Sequence, residues 1–154
     1  MNAVLQQPIP GYRPMRAEDV DRVVAMEREI YPFPWTRGNF TDSLAAGYNC
    51  WISQVEGEMA GYGVMMVAAG EAHLLNLGIA APWQGIGLGR RLLCHMAGVA
   101  REHHAEIMLL EVRTSNAAAR NLYASSGFKV LTIRKNYYPA GAGREDAVLM
   151  ELAL

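Results

Sequence analysis

A mixed α/β sheet in one domain is the fold that the order of elements predicts, and three observations carry the prediction. Hydrophobic periodicity alternates between helical and strand spacing, giving strand, two helices, three strands, helix, strand, helix and two strands. Glu56-Gly57 falls between two apolar runs, where a tight two-residue turn closes a hairpin. A glycine-rich stretch, Gln84-Gly85-Ile86-Gly87-Leu88-Gly89, joins an apolar strand to a helix. The 154 residues suffice for one domain whose core needs no staples.

Each element has its own signal. Met1 to Pro10 is polar and proline-containing, so residues 1–10 are expected to be a flexible leader and residues 11–154 the domain. Tyr12–Met15 is a short strand, confined by Pro14 to an edge or a strand end. From Ala17 to Ile30, Val20, Val23, Val24, Met26 and Ile30 recur at helical spacing with acidic residues early. Tyr31-Pro32-Phe33-Pro34-Trp35 ends that helix, because proline lacks the N–H and restricts its predecessor. Thr36 is placed to cap a second helix running to Ala46. Asn49–Val55 and Met59–Val67 flank the Glu56-Gly57 turn, and Leu74–Ala80 is a third long strand. The glycine loop opens a helix that reaches His104. Glu106–Val112 is apolar apart from its ends, the pattern of a strand buried on both faces. Asn116–Ser125 is a short helix closed by Gly127. Phe128–Arg134 and Ala147–Ala153 are the last strands, expected to be joined by a long loop containing glycine and proline.

Composition narrows the function. Apolar residues make up 51% and charged residues 19%, ordinary for a globular chain. A formal net charge of −1 provides no broad basic field, so nucleic acid is not an expected partner, although a local acidic pocket for a cationic peptide stays open. Cys50 and Cys94 form no C-x-x-C pair and are expected to be small buried thiols; neither is an expected nucleophile. His73, His95, His103 and His104 make no H-E-x-x-H pattern, and no metal centre is expected. No apolar run approaches the length of a membrane span, and the N-terminus lacks the regions of a signal peptide, so a cytoplasmic protein is expected.

The glycine loop is the most informative stretch. Its glycines strip side chains from a tight turn, so backbone N–H groups can converge on a ligand. The helix that follows begins with unpaired N–H groups and a positive dipole end, and Arg90 and Arg91 add charge there; the combination suits phosphate. A Walker loop is excluded because arginines, not Lys-Ser/Thr, follow the last glycine. A dinucleotide-binding domain of Rossmann type is a weaker alternative, because the third glycine comes one position early and three strands precede the loop. The pattern Q/R-x-x-G-x-G/A is met by Gln84, Gly87 and Gly89.

Three further residues have chemical possibilities. Glu111 lies in Met108-Leu109-Leu110-Glu111-Val112-Arg113, where a carboxylate is costly unless paired, protonated or at an open end. Burial would raise its pKa toward the range of a general base; a salt bridge with Arg113 on the same strand face is the alternative. Asn116 and Tyr123, two turns apart, share a helix face. Asn116 can equally be the helix cap, and Tyr123 a core aromatic.

Taken together these segments resemble the GCN5-related N-acetyltransferases. The glycine loop is similar to their pyrophosphate loop, and Leu110–Ala119 with Leu122-Tyr123 and Gly127-Phe128 is similar to their closing motif. Phe33-Pro34-Trp35-Thr36, Asn136-Tyr137-Tyr138-Pro139 and Gly143-Arg144-Glu145-Asp146-Ala147 resemble the RimI-type branch, which acetylates the N-terminal alanine of a small-subunit ribosomal protein. The resemblance runs from about Ala17 to Leu152 and implies a mostly antiparallel sheet with flanking helices. It implies acetyl-coenzyme A as acetyl donor, with Leu77, Gly78 and Ile79 on the pantetheine arm. Gly85, Ile86, Gly87, Leu88, Gly89 and Arg90 would hold the pyrophosphate, and Asn116 would touch the coenzyme. Glu111 matches the proton acceptor and Tyr123 the proton donor. Tyr137 and Tyr138, with the Glu145-Asp146 pair, are placed to grip a basic peptide, with Phe33 and Trp35 walling the opposite side. Gly85, where a bulkier residue is usual, and Lys135, where arginine is common, depart from the pattern. Another protein N-terminus, a lysine side chain or a small amine are alternative acceptors, and a non-catalytic acyl-coenzyme A-binding module is the alternative of another class.

Overall fold

The computed structural model describes residues 7–154. The leader expected over residues 1–10 therefore lies outside the described residues as far as residue 6, and Gln7–Pro10 form no regular element. Strand β1 (Gly11–Pro14) leads through a single 3-10 turn (Ala17–Asp19) into α1 (Val20–Ile30) and α2 (Arg37–Ala45). Then come β2 (Asn49–Val55), β3 (Glu58–Ala68), β4 (Glu71–Ile79), a 3-10 turn (Ala81–Trp83) and α3 (Leu88–Glu102). β5 (Ile107–Arg113), α4 (Ala117–Ser125), β6 (Lys129–Ala140) and β7 (Gly143–Ala153) complete the chain. The seven strands are ordered β1-β2-β3-β4-β5-β7-β6. β1 pairs antiparallel with β2, β5 with β7 and β6 with β7, whereas β4 and β5 are parallel. A parallel pair needs a crossover, and α3 is that connection. The expected mixed, mostly antiparallel sheet with helices is the observed one.

Local chemistry explains most boundaries. The α1 spacing buries Val20, Val23 and Val24. Thr36 caps α2 by accepting from Asn39 N at 3.2 Å, and Asn39 Oδ1 accepts from Thr36 N at 2.9 Å. Glu56 and Gly57 have φ of 52° and 79°, the left-handed pair of a primed hairpin turn. Ala69 and Gly70 repeat those angles. They form a second tight turn, so β4 starts at Glu71 rather than Leu74.

Two expectations are corrected. β5 alternates instead of being buried on both faces: Met108, Leu110 and Val112 are buried, while Leu109, Glu111 and Arg113 lie on a half-exposed face. The long loop expected after Arg134 is strand, since β6 continues to Ala140 and only Gly141 and Ala142 separate it from β7.

The chain gathers into two compact units, one comprising residues through Gly63 with Leu77–Leu93, the other Val64–Asn76 with Cys94–Leu154. In the first, Phe40, Ile52 and Tyr62 are fully buried, and Val55, Ala60 and Leu88 form a core cluster with Ile79 and Trp83 against it. In the second, Met65, Met96 and Met108 are among the fully buried side chains.

Candidate active site

In the first unit the end of β4 is held by side chains on its own backbone. The Tyr31 hydroxyl donates to the carbonyl of Leu77, and Gln84 Nε2 donates to the carbonyl of Ile79 at 2.8 Å. Gly78 is glycine for want of room: a Cβ there would lie 2.5 Å from both Cζ and Oη of Tyr62. Tyr62 in turn donates its hydroxyl to Glu27, a carboxylate that is 2% exposed. Burial, and then the Glu27 charge, push the Tyr62 phenol pKa well above its ordinary value. The other Glu27 oxygen accepts from Trp35 N at 3.2 Å. A buried charge is tolerated only when paired or hydrogen-bonded in this way.

The glycine loop is required by twist, not by crowding. Gly85 and Gly87 have φ of 80° and 87°, and a Cβ on either would meet nothing within 4 Å. Both amides thus belong to open, left-handed backbone, the geometry of an anion nest. Leu88, 2% exposed, anchors the first turn of α3 in the core, leaving only its main chain for a ligand. Ile86 and Arg90 are exposed, and Gly89 is half-buried. The first turn of α3, a helix of 15 residues, adds main-chain N–H groups and a positive dipole end. These residues fit a diphosphate. Phe33 and Trp35 differ in kind: Phe33 is exposed, whereas the Trp35 ring packs 5.2 Å from Phe40.

In the second unit the structure brings Glu111, Arg134, Tyr137 and Tyr138 together. Glu111 Oε1 lies 3.5 Å from Arg134 Nη1. Glu111 beside it raises the Tyr137 phenol pKa, with burial adding to the effect. The Tyr137 and Tyr138 rings meet edge-on at 4.8 Å, and the Arg113 guanidinium sits 4.4 Å above Tyr138. Burial pushes the Tyr138 phenol up to about 12, with the charge of Glu111 adding and that of Arg113 opposing. Tyr123 is 8% exposed, packs 5.6 Å from Phe128, and is pushed up to about 12 by burial. Asn116 caps α4, its side chain accepting from Ala119 N at 3.1 Å.

Three sequence expectations change here. Glu111 pairs with Arg134, not with Arg113, which instead binds Glu145 at 3.2 Å and the carbonyl of Pro139 at 2.7 Å. The Glu145-Asp146 pair is already engaged within the fold. Glu145 also accepts from Thr114 Oγ1 and Ser115 N, and Asp146 accepts from Asn136 N and lies 3.4 Å from Lys135 Nζ. Cys50 is buried, its thiol pushed up to about 11, but Cys94 is exposed.

Residues 20–128 match the model of the Acetyltransferase (GNAT) family. The chain belongs to that family. As a GNAT acetyltransferase it takes its acetyl group from acetyl-coenzyme A, which the nest between Gly85 and Arg90 fits. The chain is 36% identical over 140 residues, 91% of its length and 95% of the relative's, to the [Ribosomal protein bS18]-alanine N-acetyltransferase of Escherichia coli K12. A relative of the same description from Haemophilus influenzae is 34% identical over 137 residues, covering 88% of this chain and 93% of that one. The crystal structure of the ribosomal-protein-S18-alanine N-acetyltransferase from Escherichia coli superposes with a TM-score of 0.87 at 35% identity, covering 94% of each chain. Among described residues, no helix of this GNAT enzyme is long and apolar enough to cross a membrane.

Sequence reasoning missed four contributors: Tyr31 on the Leu77 carbonyl, the Glu27–Tyr62 pair against Gly78, Arg134 on Glu111, and Arg113 on Tyr138. All are long-range in sequence. The proline-broken segment around Tyr31 and the charged Glu27 within an apolar helix face were the only local hints.

Proposed function

We propose that this acetyltransferase moves the acetyl group of acetyl-coenzyme A onto the N-terminal alanine of ribosomal protein bS18, in the cytoplasm. The observation that carries the acceptor is likeness over 91% of the chain to enzymes of that description. The backbone of Leu77, Gly78 and Ile79 holds the pantetheine arm, residues 85–90 hold the pyrophosphate, and Asn116 adds a coenzyme contact from its cap position. Phe33 and Trp35, with Tyr137 and Tyr138, contact the peptide.

The amine nitrogen attacks the thioester carbonyl carbon. A C–N bond forms, the carbonyl electrons move to oxygen, and a backbone N–H beside Ile79 stabilises the oxyanion. Collapse breaks the C–S bond, Glu111 takes the proton from nitrogen, and the Tyr123 hydroxyl donates to the departing sulfur. An α-amine has a pKa of about 7.7–8.0, so a useful fraction is neutral at physiological pH; a lysine amine, near about 10.4, is not. One carboxylate therefore suffices for an N-terminal acceptor, and no covalent acetyl-enzyme is needed.

Acetyl transfer to synthetic peptides beginning Ala, Ser, Gly and Met, beside a blocked peptide with an internal lysine, tests the reading by mass spectrometry. The alanine peptide of bS18 is expected to react fastest. Equal transfer to the internal lysine, or none to any N-terminus while acetyl-coenzyme A still binds, overturns it.

A further inference from the structure

The β6–β7 ladder contains an interruption that faces Glu111. The register passes from Arg134↔Ala147 to Tyr138↔Glu145, so Lys135, Asn136 and Tyr137 stand opposite the single residue Asp146. Asn136 has φ of 52°, left-handed backbone that asparagine adopts more readily than most side chains, and a single conformation there needs enforcement by its surroundings. Two β7 side chains supply that enforcement. Asp146 Oδ1 accepts from Asn136 N at 2.9 Å. Arg144 donates through Nε to the carbonyl of Asn136 at 2.7 Å and through Nη2 to the carbonyl of Tyr137 at 2.8 Å. Backbone groups displaced from the ladder are thus satisfied by side chains, and the bulge has one conformation instead of several.

What the bulge presents is Tyr137, its ring 5.5 Å from the Arg134 guanidinium, which in turn lies 3.5 Å from the Glu111 carboxylate. Tyr137 is 40% exposed, so packing alone does not hold it there. We propose that Asp146 and Arg144 are positioning residues for acetyl transfer, acting on Glu111 through Tyr137 by locking the Asn136 bulge. The inference rests on the proposed role of Glu111 as proton acceptor. It assigns work to Asp146 that an acidic peptide-binding residue would not do, since its carboxylate is aimed at the main chain of its own hairpin.

Steady-state kinetics of Asp146→Ala, Asp146→Asn, Arg144→Met and Tyr137→Phe test it. Asp146→Ala and Arg144→Met are expected to lower kcat/KM for the peptide by about tenfold, the effect of losing hydrogen bonds to a charged group that sets geometry, while KM for acetyl-coenzyme A stays unchanged. Asp146→Asn keeps an oxygen acceptor for Asn136 N and is expected to restore most of the loss. Combining Asp146→Ala with Tyr137→Phe is expected to be no worse than the poorer single variant, because both act through one hydroxyl. Losses that multiply, or a matching rise in KM for acetyl-coenzyme A, overturn the inference. A second readout is independent of turnover: in 13C-tyrosine NMR spectra the Tyr137 phenol carbon is expected to shift in Asp146→Ala and Arg144→Met. An unmoved resonance in both overturns the positioning role even if the enzyme acetylates nothing, whereas a shifted resonance with no transfer by the unmodified enzyme overturns only the proposed reaction.

Discussion

Gly78→Ala offers a perturbation whose size follows from the structure. The added methyl would sit 2.5 Å from Cζ and Oη of Tyr62 and 3.0 Å from Cε1, well inside van der Waals contact. Tyr62 is fully buried and its hydroxyl is held by the buried Glu27, so it has neither solvent to enter nor a free rotamer to adopt. Overpacking of this kind costs about 1–3 kcal/mol. If the ring yields and the Tyr62–Glu27 bond breaks, a hydrogen bond to a charged group adds about 1.5–3 kcal/mol. The sum, roughly 2.5–6 kcal/mol, is a large share of the about 5–15 kcal/mol that stabilises an ordinary domain. Urea denaturation followed by tryptophan fluorescence measures it, since Trp35 hangs from the same carboxylate by its backbone N–H. Gly85→Ala is the control: with φ of 80° and nothing within 4 Å, it carries only the left-handed penalty, about 1–2 kcal/mol. A Gly78→Ala variant within about 1 kcal/mol of the parent, or no less stable than Gly85→Ala, would refute the claim that Tyr62 is wedged against β4.

The other expectations are briefer. Glu111→Gln is expected to lower kcat by about 10²–10⁴ while acetyl-coenzyme A binding, followed by calorimetry, is retained. Asn116→Ala removes the acceptor for Ala119 N and is expected to cost about 1 kcal/mol in thermal or urea unfolding. Arg13 binds both oxygens of Asp19 at 2.7 Å and, through those hydrogen bonds first, holds the Asp19 carboxyl below its usual range. That stabilisation is present above the unfolded carboxyl pKa of about 3.9 and is lost as pH falls through the depressed folded value, so Arg13→Ala should be less stable than the parent at neutral pH and converge with it as acid protonates Asp19 in urea titrations.

What could be read from the chain was what short-range chemistry determines. Thr36 announced its helix because cap and partner are three residues apart, and Glu56-Gly57 announced its hairpin because both positions favour or tolerate left-handed backbone. Ala69-Gly70 adopts the same turn without announcing it, since alanine gives no such preference. β5 read as doubly buried because its apolar residues are contiguous. In the fold, however, Glu111 and Arg113 mark a face whose partners, Arg134 and Glu145, lie far along the sequence. Asn136-Tyr137-Tyr138-Pro139 read as loop for a physical reason that is half right: the ladder does fail there, and Arg144 and Asp146 repair it with side chains. The glycine loop and the residues matched to chemistry were visible as a pattern, but of the contacts that fix the loop's strand only that of Gln84 is local, and those of Tyr31 and Tyr62 are tertiary.

Burial of Tyr123 bears on which half of the proposed reaction is harder for the protein. A phenol pushed up to about 12 keeps its proton at any physiological pH, so it is always present as a donor. An ordinary thiol has a pKa of about 8.5, and full proton transfer from such a phenol to a solvated thiolate would run uphill. Two circumstances remove the difficulty. A thiolate leaving inside a desolvated site is itself made more basic by the burial that raises the phenol. A hydrogen bond to sulfur also strengthens as charge develops, so Tyr123 stabilises the transition state before any proton moves, which is the condition for acceleration rather than mere binding. On the amine side no comparable demand arises, because an α-amino group is partly neutral before it binds and becomes strongly acidic only once the C–N bond has formed. Glu111, half-exposed beside Arg134, then has to accept a proton that the tetrahedral nitrogen readily gives up. In the proposed reaction a single carboxylate is adequate because the acceptor is an N-terminus, and the buried tyrosine carries the step that solvent would otherwise perform.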